Sequence, residues 1–226
     1  MNTILPSRLF LLLFTVLTML EIMGELWPIQ WLHYTCKPLL VGLLLAWAWR
    51  HRAVGSRPMT VLRVGLVFAL LGDIFLMIRE VDLFGPGLAS FLVMQLCYCA
   101  VFGMRGALRP VSPTSVALSA LPFVLYAGVF LLILHPAFAT KSTLNGLWIP
   151  VVIYVICISV MGLMAALRRC LPGYGAVLAG ALLFMVSDSA IAINEFLNPF
   201  AGATLVIMST YAAAQYLIVV YIQPTR

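Results

Sequence analysis

A succession of eight long apolar runs, separated by short polar connections, limits this chain more than any other feature. The runs cover Leu9–Gly24, Tyr34–Trp49, Thr60–Ile78, Gly85–Phe102, Pro113–Leu134, Leu147–Leu167, Tyr174–Glu195 and Ala203–Ile222. Roughly 20 mostly apolar residues cross a bilayer as a helix, and lipid offers the backbone no hydrogen-bond partners. Each run therefore predicts an α-helix that satisfies its own peptide groups. Eight such helices with their short connections use about all of the 226 residues. The predicted fold class is an all-α membrane protein of about eight transmembrane helices, a single polytopic transmembrane domain over residues 1–226. Charged residues make up only 9% of the chain, against roughly a quarter in soluble domains.

The first run follows Arg8 as the apolar core of a secretory signal would. However, Glu21–Trp27 contains no small-x-small cleavage site, so a retained helix is expected. Orientation follows from the cations. With the N-terminus in the cytoplasm, the inner ends hold Arg8, Arg50, Arg52, Arg57, Arg63, Arg105, Arg109, Arg168, Arg169 and Arg226, and the outer ends only Lys37, Arg79 and Lys141. This positive-inside bias predicts an even number of spans with both termini cytoplasmic. It also accounts for the net charge of +6 without a nucleic-acid partner. All the acidic residues (Glu21, Glu25, Asp73, Glu80, Asp82, Asp188 and Glu195) fall in the outer half.

Cysteine and histidine suggest little chemistry. Cys97 and Cys99 stand two apart on one predicted helix, so they point in different directions and do not bridge. His33, His51 and His135 lie near different ends and on both sides of the membrane, and no metal site is expected. One internal echo stands out: Asp73, Ile78 and Glu80 repeat as Asp188, Ile193 and Glu195, about half the chain later. Both spans run inside to outside, which suggests a parallel 4+4 duplication.

Two side chains have no ordinary place in lipid. A carboxylate at mid-helix costs at least about 2.5–3.5 kcal/mol on insertion scales, so it calls for a function or a partner. Asp73 sits about 9 Å below the outer end of its run and Asp188 about 10 Å below its own, by helical rise. Tyr211 and Gln215, four apart, share a helix face at this level, as do Gln95 and Tyr98, three apart. Lys37 opens the second run on the outer side, before Pro38. Together they suggest a polar pocket that opens outward and narrows toward mid-membrane. Each residue also has a structural reading: the aspartates as partners of Lys37, Tyr211 with Gln215 as interhelical hydrogen bonding, and Lys37 as a snorkelling anchor. Glu21, Glu25, Glu80, Asp82 and Glu195 are expected to be solvated helix ends, and Gly72 to allow close helix approach.

Particular strings go further. Gly72-Asp73-Ile74-Phe75-Leu76-Met77 is followed by Phe84, Gly87, Phe91 and Tyr98. Ser187-Asp188-Ser189 is followed by Ile191-Ala192-Ile193-Asn194 and Phe196, and Thr210-Tyr211 by Ala214-Gln215 and Leu217-Ile218. With Tyr154, Met161 and Ala165 of the sixth run, these resemble the YhhN-type lysoplasmalogenase family from Lys37 to Ile218. The family commonly carries a histidine where this chain has Gln95, so a hydrogen-bonding rather than a proton-carrying role is expected there.

The resemblance implies about eight spans and hydrolysis of the vinyl ether of lysoplasmalogens, giving a fatty aldehyde and glycerophosphoethanolamine or glycerophosphocholine, with no cofactor. It points to Asp73 and Asp188 as the catalytic pair. Lys37 would bind the phosphate of a lysophospholipid substrate, and Tyr211, Gln215, Gln95 and Asn194 would complete the substrate site. The chemistry suits carboxyl groups. An enol ether is cleaved by protonating its β-carbon, and water then attacks the oxocarbenium ion, which is the electronic problem of a glycosidase. The expected setting is a bacterial inner membrane, among membrane lipids, with the pocket facing outward. A proton-coupled transporter or lipid-binding membrane protein with the aspartates as a relay is the alternative. A serine hydrolase is not, because no Gly-x-Ser-x-Gly elbow is present.

Overall fold

The structure is a computed structural model that describes residues 7–51, 56–78, 80–104 and 112–222. Arg52, Arg79, Arg105, Arg109 and Arg226, which carry part of the charge bias, lie outside the described residues. Eight α-helices run in chain order: α1 Arg8–Leu26, α2 Gln30–His51, α3 Arg57–Met77, α4 Phe84–Gly103, α5 Pro113–Thr140, α6 Trp148–Ala166, α7 Tyr174–Ala192 and α8 Ala203–Tyr221. A 3-10 segment, Ser142–Leu147, precedes α6, and one π-helical turn, Ile193–Leu197, extends α7. No strand occurs among the described residues. Seven of the helices are long and apolar enough to cross a membrane, so this is an integral membrane protein. The exception is α2, whose first half carries Gln30, His33 and Lys37.

Local signals set the helix starts. The Ser7 hydroxyl accepts from the Phe10 amide at 3.2 Å and caps α1, and Ser112 caps α5 in the same way ahead of Pro113. Glycines in the left-handed region, Gly173 (φ 76°) and Gly202 (φ 83°), turn the chain into α7 and α8. At Gly173 a side chain is excluded twice over, because a Cβ would lie 2.3 Å from the Tyr221 carbonyl oxygen.

Packing is closest within the pairs α3–α4 and α7–α8. Helix α6 lies against α4 and α7, α1 and α2 close the bundle against α8, and α5 rests on the outside of α6. The core between them is apolar, with Leu44, Leu66, Met94, Met161 and Phe184 fully buried. Outward faces carry exposed Leu118, Leu132 and Ile149, as lipid contact requires. Three of the cations also serve as caps. The Arg63 guanidinium donates to the Ala48 carbonyl at 3.2 Å, Arg168 to that of Phe102 at 3.1 Å, and Lys141 to that of Phe196 at 2.8 Å. Each meets a carbonyl in the last turn of a helix, where the helix itself supplies no donor.

The helix boundaries depart from expectation in two places. The fifth run was expected to end at Leu134, but α5 continues through Pro136 to Thr140. Proline breaks a helix in water more readily than in a membrane bundle, where neighbouring groups satisfy the freed carbonyl. At the end of α5 the Thr140 hydroxyl donates to the Pro136 carbonyl at 2.8 Å. Helix α2 starts at Gln30 instead of Tyr34 because Ile29 turns back on Gly24, its amide donating to the Gly24 carbonyl at 2.8 Å.

Candidate active site

Asp73 sits near the end of α3 and is 2% exposed. Its Oδ2 accepts from the Tyr211 hydroxyl of α8 at 2.7 Å. Behind Tyr211 the hydrogen bonds continue: Gln215 Nε2 donates to the Tyr211 oxygen at 3.3 Å, and the Tyr98 hydroxyl of α4 donates to Gln215 Oε1 at 2.5 Å. Each hydroxyl has one proton to give, so the chain Tyr98–Gln215–Tyr211–Asp73 has a single direction and ends on the carboxylate. Gln215 thus lies on the same face as Tyr211, as their spacing predicts, and both are buried.

Asp188 of α7 has a separate set of donors. The Tyr154 hydroxyl of α6 meets its Oδ2 at 2.5 Å, and Gln95 Nε2 of α4 meets the same oxygen at 3.2 Å. With both donors on Oδ2, Oδ1 is the oxygen left to carry a proton. Next along α7, the Ser189 hydroxyl donates to the Met185 carbonyl at 2.6 Å and so accepts from Tyr126 of α5 at 2.8 Å. The two aspartates feel each other's charge but do not hydrogen-bond to each other. Neither acid depends on the other for its position.

Their surroundings differ. Half-buried Asp188 lines a small cavity of about 50 Å³ that is otherwise almost wholly apolar, walled by Phe91, Tyr126, Phe130, Tyr154 and Ile158. At one end of the bundle lies a wider vestibule of about 730 Å³, where Glu25, Lys37, Asp82, Asn194 and Glu195 converge. Leu76 and Ile191 line both spaces, so these two side chains form the partition between them. Lys37 acts on Asp73 through charge and makes no hydrogen bond or ion pair among the described residues. Asn194, on the π-helical turn, donates to Glu195 at 3.2 Å at the vestibule rim. The structure therefore divides the expected site. Gln95, Tyr211 and Gln215 hold the aspartates, whereas Lys37 and Asn194 stand further out.

Glu21 corrects the expectation of solvated helix ends. It is fully buried on α1, with its Oε1 2.9 Å from Nδ1 of His33. The early start of α2 covers it: Gly24 lets the chain pass so close that a Cβ there would lie 2.8 Å from the His33 nitrogen. Gly72 does what was expected of it, since a Cβ there would sit 2.7 Å from the Phe91 ring. Tyr154 and Tyr126 were not foreseen as partners of the Asp188 region. Tyr154 is among the residues that carry the family resemblance, but nothing there pairs it with Asp188. Tyr126 is marked only as a tyrosine within an apolar run, a residue also common at membrane interfaces.

Fold and site together define a helical membrane protein with two separately held carboxyl groups and a polar vestibule at one end of the bundle. The chain belongs to the YhhN family, whose pattern it matches over residues 32–222. It is 37% identical over 163 residues to Lysoplasmalogenase TMEM86A of Homo sapiens, covering 69% of this chain and 62% of that protein. It is 32% identical over 184 residues to Lysoplasmalogenase TMEM86B of Mus musculus, covering 81% and 71%. A Lysoplasmalogenase of Mycobacterium tuberculosis (strain CDC 1551 / Oshkosh) is 32% identical over 132 residues, 58% of this chain and 48% of that one. The similarity thus spans less than two thirds of the length of the first and last of these relatives. No solved structure matches the chain.

Proposed function

We propose that this chain is a lysoplasmalogenase, hydrolysing the vinyl ether of a lysoplasmalogen to a fatty aldehyde and a glycerophospho-alcohol. The observation that carries this reading is Asp188, an acid clamped on one oxygen at the wall of an apolar cavity, in a chain whose relatives bear that name. The alkenyl chain enters past Leu76 and Ile191, leaving the glycerophosphate head in the vestibule, where Lys37 meets the phosphate and Asn194 the head group. Asp188 gives its Oδ1 proton to the β-carbon of the vinyl ether, whose π electrons form the new C–H bond. The α-carbon becomes an oxocarbenium ion. Water adds to it and loses a proton to a carboxylate, and the hemiacetal then collapses to aldehyde and alcohol. Asp73, held by Tyr211 and Gln215, supplies the second negative charge that stabilises the cation. Tyr154 and Gln95 fix which oxygen of Asp188 carries the proton.

The purified protein in detergent should release free aldehyde from a lysoplasmalogen and none from the saturated alkyl ether, which has no β-carbon π bond to protonate. No aldehyde from the lysoplasmalogen would reject the proposal, and aldehyde from the saturated ether would reject the protonation step. The directional chain Tyr98–Gln215–Tyr211–Asp73 favours one other function, a proton-coupled transporter. A transporter would move protons across a vesicle membrane and release no aldehyde.

We also infer a parallel duplication of four helices. Its support is reciprocal pairing: Asp73 of α3 is held from α8, while Asp188 of α7 is held from α4. Orientation is proposed as both termini cytoplasmic, in a bacterial inner membrane, with the vestibule outward.

A further inference from the structure

We propose that Glu21, Glu25 and His33 form a binding site for one divalent first-row transition cation of the Zn²⁺ type, at the outer end of the α1–α2 hairpin. Glu21 and Glu25 are four apart on α1 and share a face. The hairpin brings His33 against them, so that one ligand atom from each of the three residues lies within 4.8 Å of the others. Glu21 is fully buried and His33 is 8% exposed. Neither carboxylate oxygen of Glu21 and neither ring nitrogen of His33 has a hydrogen-bond partner. Their one polar contact among the described residues is with each other, an ion pair only when His33 is protonated, and a buried carboxylate without hydrogen bonds is costly.

Nδ1 of His33 and Oε1 of Glu21 approach to 2.9 Å without hydrogen-bond geometry. Two donors bound to one ion at about 2.0–2.2 Å stand roughly 3 Å apart, so this spacing is that of neighbouring ligands on a metal. Half-buried Glu25 stands within 4.8 Å of the other two ligand atoms, and a side-chain rotation draws it into the ion's shell. One imidazole with two carboxylates suits Zn²⁺ and its neighbours better than Mg²⁺, which holds its waters and prefers oxygen. The backbone is built for the contact, because Gly24, between the two glutamates, has no side chain to hold α2 away. Glu25 also lines the vestibule, so the ion would stand in its wall.

The test is metal binding to the full chain, purified in detergent without a histidine tag and stripped by chelator. Calorimetric titration with Zn²⁺ should show one equivalent bound and Tm should rise by several degrees, while Mg²⁺ at the same concentration should do neither. Co²⁺ should give a visible d–d absorption. Glu21→Gln and His33→Ala should abolish both signals. Since these residues are buried, Glu25→Gln is the companion variant: it should elute as the native protein does and bind Zn²⁺ at least tenfold more weakly. No stoichiometric Zn²⁺ binding by the native chain, or unchanged binding in both Glu25→Gln and His33→Ala, would overturn the site. Neither outcome bears on aldehyde release, which is measured separately.

Discussion

Asp188 and Asp73 are both carboxyl groups within spans, but their surroundings differ, and the proposed mechanism gives them different work. Asp188 faces the cavity and Asp73 lies behind the Tyr211 hydroxyl. Asp188→Asn should lower kcat by about 10²–10⁴-fold with little change in KM, because an amide has the shape of the acid and no proton to give. Asp73→Asn should also lower kcat, through lost stabilisation of the cation. Tyr154→Phe should cost roughly tenfold, since Gln95 still holds Oδ2 and only the orientation of the acid loosens. Aldehyde release by the inserted variants checks all three, and near-full activity of either asparagine variant would make that aspartate structural. The aspartates were legible because an ionisable group in an apolar run has few innocent explanations. Their tyrosine partners were less so: Tyr211 was marked by Gln215 one turn away, whereas Tyr154 depends on how α6 is rotated against α7, which no local pattern records. Glu21 was misjudged because depth was counted along its own helix, while its burial comes from another.

Among the helices, the close pair α3–α4 sets the shape of the cavity. Phe91 of α4 packs over Gly72, lines the Asp188 cavity and meets the Tyr211 ring edge-on, with centroids 6.0 Å apart and planes at 87°. Gly72→Ala pushes its new methyl into that ring. The expected cost is about 1–3 kcal/mol of stability from overpacking, with a loss of activity as Phe91 shifts against Tyr211. Gly42→Ala, with nothing within 4 Å of the new Cβ, is the matched control and should leave both unchanged. Thermal unfolding in detergent together with the aldehyde assay compares the two, and equal behaviour would show that Phe91 has room to yield. The helices themselves were legible from apolar runs, and so was the closeness at Gly72. The π-helical turn after α7 was not. Its Phe196 carbonyl is met by Lys141 from the end of α5, a contact that leaves no mark in the sequence of the turn itself.

The bundle gathers Glu25, Lys37, Asp82, Asn194 and Glu195 at one end, and the proposed orientation and substrate choice are testable against that sorting. Reporter fusions after Arg52 and Arg109 should read cytoplasmic and a fusion near Pro199 external, and a cytoplasmic signal at Pro199 would reverse the positive-inside assignment. Selectivity depends on what lies between the two spaces. The vestibule is roomy and polar, the cavity is small and apolar, and Leu76 and Ile191 line both. A lysolipid presents one chain to that partition, and its vinyl ether lies a glycerol unit below the phosphate. With Lys37 at the vestibule wall and Asp188 at the cavity wall, head and ether can occupy both spaces at once. A two-chain plasmalogen brings a second chain from the neighbouring glycerol carbon, which must either pass the same partition or lie among polar groups. The lyso form should therefore be cleaved at least tenfold faster. Leu76→Ala should narrow that difference by widening the passage, while leaving the acid and its donors in place. Lys37→Ala should raise KM more than it lowers kcat, as expected for a group that holds the phosphate equally in ground and transition states. Side-by-side aldehyde assays on lyso and two-chain substrates, with the native chain and with Leu76→Ala, decide the matter. Equal rates on both lipids by the native chain would mean that the partition does not select, and the choice of substrate would then have to lie in the head-group contacts of the vestibule.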